Sequence, residues 1–194
     1  MLQKQGQVRP GDHDIVAEQL GRFPRGLLGV ARRCRYGYPQ VIVSRPVYSD
    51  GGDPKVFPTL FWLSCPYLRR IVAKMESEGQ VAEFQARLDT DREFSEAMTQ
   101  AHQAYAQERT GLVPENVVID LKKHYPGVHS VLTGSGVGGI RGRDGIKCLH
   151  THLAHELAGG PNPVGRAVAA QIESIDGCAT GQCRRELHAD ARFR

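Results

Sequence analysis

Hydrophobic and polar positions divide the chain into a strand-rich first third and a helical remainder. Residues 27–34 (LLGVARRC) and 41–47 (VIVSRPV) read as short strands joined by a turn at Tyr36-Gly37-Tyr38-Pro39. The stretch 49–55 (SDGGDPK) is a second strong turn, and a third strand follows at 59–64 (TLFWLS). Three consecutive short strands with tight turns are joined most simply as an antiparallel meander. Ahead of them, Asp12 or Asp14 can cap a short helix through Leu20 that Gly21 and Pro24 would end.

Beyond residue 64 the period lengthens. Cys65-Pro66 closes the sheet and opens a helix, because proline suits the first helical position. Tyr67, Leu68, Ile71, Val72 and Met75 then recur at helical spacing until Gly79 interrupts them. Further helices are predicted over about 81–88 and 92–109, the latter with Phe94, Met98, Ala101 and Tyr105 on one stripe. His102 lies near that stripe and is read as a packing residue. Residues 114–123 (PENVVIDLKK) fit either a strand or a helix, with the opening PEN favouring helix. After the break GGPNP, residues 164–175 read as a last helix. The predicted fold is α+β: a small antiparallel sheet of about three strands within residues 27–64, covered by several helices. It is a single domain over 27–175, preceded by a lead-in with a short helix (1–26) and followed by a flexible tail (176–194).

Composition sets the class. The 194 residues are 40% hydrophobic and 24% charged, ordinary for a soluble domain with a sizeable core. No apolar run approaches the roughly 20 residues of a membrane span, and the first 20 residues lack a secretory h-region. A cytoplasmic location and no membrane partner are expected, with the five cysteines reduced. The net charge of +4 conceals a sharper pattern. Six arginines and no acid or lysine lie between Arg22 and Arg45, whereas acids outnumber bases ten to three between Glu76 and Asp120. Arg32 and Arg33 in the basic cluster suit bidentate contact with an anion. The acidic middle and the modest net charge argue against nucleic acid as a partner.

Candidate chemistry concentrates in residues 133–157. Five glycines between Gly134 and Gly142 precede a short helix carrying Cys148, His150, His152 and His155. The loop holds Gly136, Gly138 and Gly139, with Arg141 and Lys147 beside it. It could expose amides to an anion at the helix start, but it lacks GxxxxGK[ST] and the βαβ context of a dinucleotide fingerprint. Cys34 ends the first strand, Cys65 the third, and Cys148 starts the His-rich helix. A thiol at a helix N-terminus is expected to have a lowered pKa. Three cysteines from separate elements with an imidazole nearby can form a zinc or iron–sulfur site, although none belongs to a CxxC pair. At 100° per residue, Ile146, Leu149, Leu153 and Leu157 share the apolar face of the helix. Either Cys148, His152 and His155 act together opposite that face, or the helix begins after Cys148 and His150 works with His155. Cys178 and Cys183 make a poor zinc half-site without a matching pair and are read as incidental.

Four motifs in order, 30–39 (VARRC-x-YG-x-P), 57–66 (FPTLFWLSCP), 136–155 (GVGGIRGRDGIKCLHTHLAH) and 162–165 (NPVG), resemble the bacterial family known as domain of unknown function 501. The resemblance spans about residues 27–170 and implies no particular activity. The positions it picks out are Cys34, Cys65, Lys147, Cys148, His150 and His155, with His152 outside the pattern. It therefore favours the second reading of the helix. The expected function is a Cys/His metalloprotein in which Cys34, Cys65 and Cys148 hold zinc or an iron–sulfur cluster. His150 and His155 would be the acid/base or ligand residues, and the Gly/Arg loop would receive an anionic small molecule. Two alternatives stand beside it: a metal-free enzyme with a cysteine nucleophile, and a non-enzymatic anion or nucleic-acid binding module.

Overall fold

The computed structural model describes residues 6–24, 26–142, 145–179 and 183. The predicted lead-in at 1–5 and most of the tail beyond 179 lie outside these residues. The sheet consists of β1 (Leu27–Arg33), β2 (Pro39–Ser44) and β5 (Phe61–Leu63), paired antiparallel in that order. This is the expected meander. Every residue of β2 is buried, so the middle strand is covered on both faces rather than alternating between core and solvent. The turn at 49–55 carries a feature that the turn residues alone do not reveal. Its flanks pair as a separate ribbon, β3 (Val47–Tyr48) with β4 (Lys55–Val56).

Eight α-helices, counted among the described residues, cover the sheet: α1 (Asp12–Leu20), α2 (Pro66–Ser77), α3 (Gln80–Thr90), α4 (Arg92–Thr110), α5 (Glu115–His124), α6 (Pro126–Gly134), α7 (Leu149–Leu157) and α8 (Pro163–Ala170). The domain is α+β. The α4 stripe of Phe94, Met98, Ala101 and Tyr105 is buried as its spacing requires. None of the described helices is long and apolar enough to cross a membrane.

Two helices depart from the sequence reading. Pro126-Gly127 resembles a break, yet Pro126 takes the N1 position of α6, where its missing N–H costs nothing. The far end of α6 is closed by Arg109, a fully buried residue of α4. Its guanidinium donates to the carbonyls of Val131, Leu132 and Ser135 at 2.6–3.2 Å, and to Pro58 at 2.9 Å. One side chain thus satisfies the orphan carbonyls of a helix terminus and ties it to the loop before β5. α8 stops at Ala170, five residues short of the predicted end, and the chain then runs along the sheet.

α7 is central to the packing, against α8, β5 and α2. Leu149 and Leu153 are buried as their phase predicts, but so are His152, Ala154 and His155. The helix is enclosed on both flanks, so the partners of His152 and His155 must come from within the protein.

Candidate functional site

Cys34 and Cys65 lie at the same end of the sheet. Strand register brings them to either side of Pro39, the first residue of the middle strand. Arg33 pairs with Pro39, the Cys34 amide donates to the Tyr38 carbonyl at 2.9 Å, and the Cys65 amide donates to Gln40 at 3.3 Å. Cys65 is the N-cap of α2, as expected. Burial nevertheless pushes its thiol up to about 11, against the amides of Leu68 and Tyr67, which pull it down. The thiols of Cys183 and Cys34 are near enough to Cys65 to add to the rise. For Cys65, desolvation therefore outweighs the helix terminus, contrary to the sequence expectation.

Cys148 is the N-cap of α7, half-buried, with Sγ 3.4 Å from Thr151 Oγ1. It lies at the other end of α2. The neighbouring Leu149 amide donates to Glu76 Oε1 at 2.6 Å, and Glu76 sits eleven residues along α2 from Cys65. At 1.5 Å per residue this is roughly 16 Å. Cys34 and Cys65 share one end of the sheet, and Cys148 lies at the far end of α2 from them. Among the described residues, no group of three or more His, Cys, Asp or Glu side chains is arranged to hold a metal ion.

Glu76 also determines the surroundings of His150. Its carboxylate receives the Leu149 amide and lies 3.0 Å from His150 Nδ1, while His150 Nε2 lies 3.2 Å from the Arg69 carbonyl. The carboxylate thus fills the anion position that the α7 N-terminus offers. Nothing in the His-rich sequence points to this partner, which comes from a different helix.

In the glycine loop, Gly138 and Gly139 have φ of +70° and +81°, where glycine is favoured. Gly136 is needed for close approach instead, since a Cβ there would meet the His102 ring at 2.5 Å. Most of the loop amides are spent within the protein. Gly136 N–H donates to Ile140, Gly139 N–H to Gly136, and Val137 N–H to His102 Nδ1 at 3.0 Å. Arg141 and Lys147 are the exposed cations beside the loop. The other predicted anion-binding residues, Arg32 and Arg33, lie on the edge strand β1. Arg33 makes a nearly buried bidentate pair with Asp12 at 2.6 and 2.8 Å, which draws the Asp12 carboxyl down against the desolvation that raises it. Arg32 bridges Gln40 at 2.9 Å and Asp176 at 3.5 Å.

A second polar centre is fully buried, comprising His102, His152, His155 and Asn162. Asn162 caps α8, and Gly165 N–H requires an acceptor, so Oδ1 faces it at 2.8 Å. Oδ1 then accepts from His152 Nδ1 at 3.2 Å, and Nδ2 donates to His155 Nδ1 at 3.1 Å. This arrangement protonates His152 on Nδ1 and His155 on Nε2. His155 stacks on Phe61 and meets Tyr105 edge-on, with Gly160 packed directly against its ring. Its Nε2 lies 3.9 Å from Glu108. Burial, with the nearby His102, drives His152 down to about 3 and His155 down to about 4, so both are neutral at pH 7. His150, the half-buried histidine of α7, is held apart from this group. Asn162 is the residue the sequence reading missed, although its place before Pro163 signals a cap.

The fold is thus a small α+β domain with a thiol-bearing sheet end and a neutral histidine–asparagine centre within its core. The family model described as protein of unknown function (DUF501) matches residues 30–170, and the chain belongs to that family. No curated protein and no solved structure matches the chain.

Proposed function

We propose that this protein binds a thiophilic metal centre, zinc or iron–sulfur, at the end of its sheet. The observation that supports the reading is the placement of Cys34 and Cys65, from non-adjacent strands, at one end of the sheet on either side of Pro39. Reduced thiols need not close on one another by themselves. Metal binding requires thiolates and releases their protons, so the ion supplies the energy that draws the ligands in. A buried thiol held well above its ordinary range, as Cys65 is, stays protonated at neutral pH and is poorly suited to act as a metal-free nucleophile. The surroundings supply compensating charge, with Arg32 and Arg35 flanking Cys34 in sequence. Arg141 and Lys147 remain the groups through which the protein would meet an anionic molecule.

Protein purified without oxygen, then assayed for zinc and iron by elemental analysis and for cluster absorption, tests this reading. It should carry about one metal centre per chain. A folded sample free of both metals would sink the proposal.

A further inference from the structure

α5 gives little of itself to the core. Of its ten residues only Leu121 is buried, and the helix packs chiefly against α6. The side turned away from Leu121 carries Glu115, Val118, Ile119 and Lys122, which fall on a stripe about 100° wide at the helical repeat. Ile119 is 59% exposed, and among the described residues only Phe23 is a more exposed large hydrophobic side chain. Next to this stripe the surface is hollowed. A groove of about 480 Å³ lies between the end of α4, α5 and the end of α6, with Ala106, Thr110, Val113, Val118 and Thr133 in its walls. The Thr110 hydroxyl donates to the Ala106 carbonyl at 2.8 Å and the Thr133 hydroxyl to the His129 carbonyl at 2.9 Å. With those hydroxyls engaged, the walls offer mainly apolar surface. An exposed isoleucine beside an apolar groove is a contact surface rather than a stray side chain.

The order of residues along the stripe says what fits it. Glu-x-x-Val-Ile-x-x-Lys is symmetric about the midpoint between Val118 and Ile119, with an acid and a base equally far on either side. Glu115 and Lys122 are both exposed. Seven residues apart, they are separated by about 10.5 Å along the axis and cannot pair with each other. Two copies of α5 laid antiparallel across a twofold axis at that midpoint bring each Glu115 opposite the other copy's Lys122. The same operation sets each Ile119 against the other copy's Val118, at the edge of the groove. A parallel pairing in register would instead oppose like charges. We infer that this face is a self-association surface, on which a second copy of the chain docks α5 against α5 and covers the groove with its Ile119. α5 carries none of the cysteines, so the inference stands apart from the metal-binding reading. One short helix and a groove make a small interface, which implies association in the micromolar range rather than an obligate dimer.

Sedimentation velocity of the full chain, from low micromolar to near-millimolar concentration, tests the inference. The average mass should climb from that of one chain towards that of two. Glu115→Lys and Lys122→Glu should each weaken association by about tenfold or more, because each sets two like-charge pairs across the axis. Mixed in equal amounts, these two variants should associate with each other about as tightly as the parent does with itself, since every opposed pair again has opposite signs. Ile119→Ser should also weaken association by about tenfold or more. All three positions are exposed, so the urea unfolding midpoint at low concentration should match the parent's and exclude misfolding as the cause. A parent that stays monomeric throughout overturns the inference, and a helix from a different protein becomes the occupant to seek. Association that survives both charge reversals, or variants that stay apart when mixed, would likewise overturn it.

Discussion

Acidification tests the buried histidine centre directly. His152 and His155 are neutral in the fold, with pKa values near 3 and 4, and would titrate near 6.5 in an unfolded chain. Below pH 6.5 the unfolded state therefore binds protons that the folded state refuses. The stability these rings provide is fully present above that value and is lost as pH falls towards 4. At pH 5, about 1.5 units below the unfolded value, each ring accounts for about 2 kcal/mol, or about 4 kcal/mol together. The slope there should approach two protons, about 2.7 kcal/mol per pH unit. With a urea dependence of about 2 kcal/mol per molar, the unfolding midpoint should fall by about 2 M between pH 7.5 and pH 5. Asp12 and Asp91, whose carboxyls are held below their ordinary range, act at lower pH and do not enter this window. His155→Phe keeps an aromatic ring against Phe61 and Tyr105 while removing one titrating group. It should cut the slope to about one proton whatever its effect at pH 7. An unchanged slope in that variant, or a midpoint that does not move between pH 7.5 and pH 5, would refute the assignment of neutral buried rings.

Substitutions at three positions probe the same framework. Arg109→Met leaves the carbonyls at the α6 terminus without a donor and should cost more than about 3 kcal/mol in thermal or urea unfolding. Arg109→Lys should recover little, because one ammonium cannot reproduce the guanidinium fork. Asn162→Ala removes an α8 cap and both histidine contacts, with an expected loss of about 2–4 kcal/mol in urea unfolding. Asn162→Asp keeps an acceptor for Gly165 N–H and for His152 but cannot donate to His155 Nδ1, so partial recovery separates the cap from the network. Gly160→Ala drives a methyl into the His155 ring and should lower stability by about 1–3 kcal/mol, seen as a reduced melting temperature.

What the sequence revealed depended on how locally each feature is encoded. The meander and the α4 stripe follow from periodicity and turn residues within a few positions, and both appear in the structure. α6 was hidden because Pro126-Gly127 reads as a break, and because the group that closes the helix, Arg109, lies 22 to 26 residues earlier. The histidines show the same limit more sharply. Helical phase placed His152 and His155 opposite the leucine face. It could not show that α8 and α4 would enclose that side, and so could not show that both rings would be neutral and bound to Asn162. Cys65 was read from its N-cap position as a thiol with a lowered pKa. Its burial, a tertiary property, sets the opposite direction. Cys178 and Cys183 were set aside for want of a matching second pair, and the link of Cys183 to Pro39 through Gln19 joins positions far apart in the chain.

Charge is distributed so that the protein's own groups occupy the anion sites that the sequence suggests. The α7 N-terminus and a buried arginine are both potential anion sites, and the protein fills each with its own carboxylate, Glu76 at α7 and Asp12 at Arg33. Loop amides that might have cradled a phosphate are directed to Ile140, Gly136 and His102. These groups serve internal order. At the sheet end the arginines are likewise engaged: Arg32 donates to Gln40 at 2.9 Å and Arg35 to the Tyr36 hydroxyl at 2.8 Å, and each also reaches the segment after α8 at 3.5 Å.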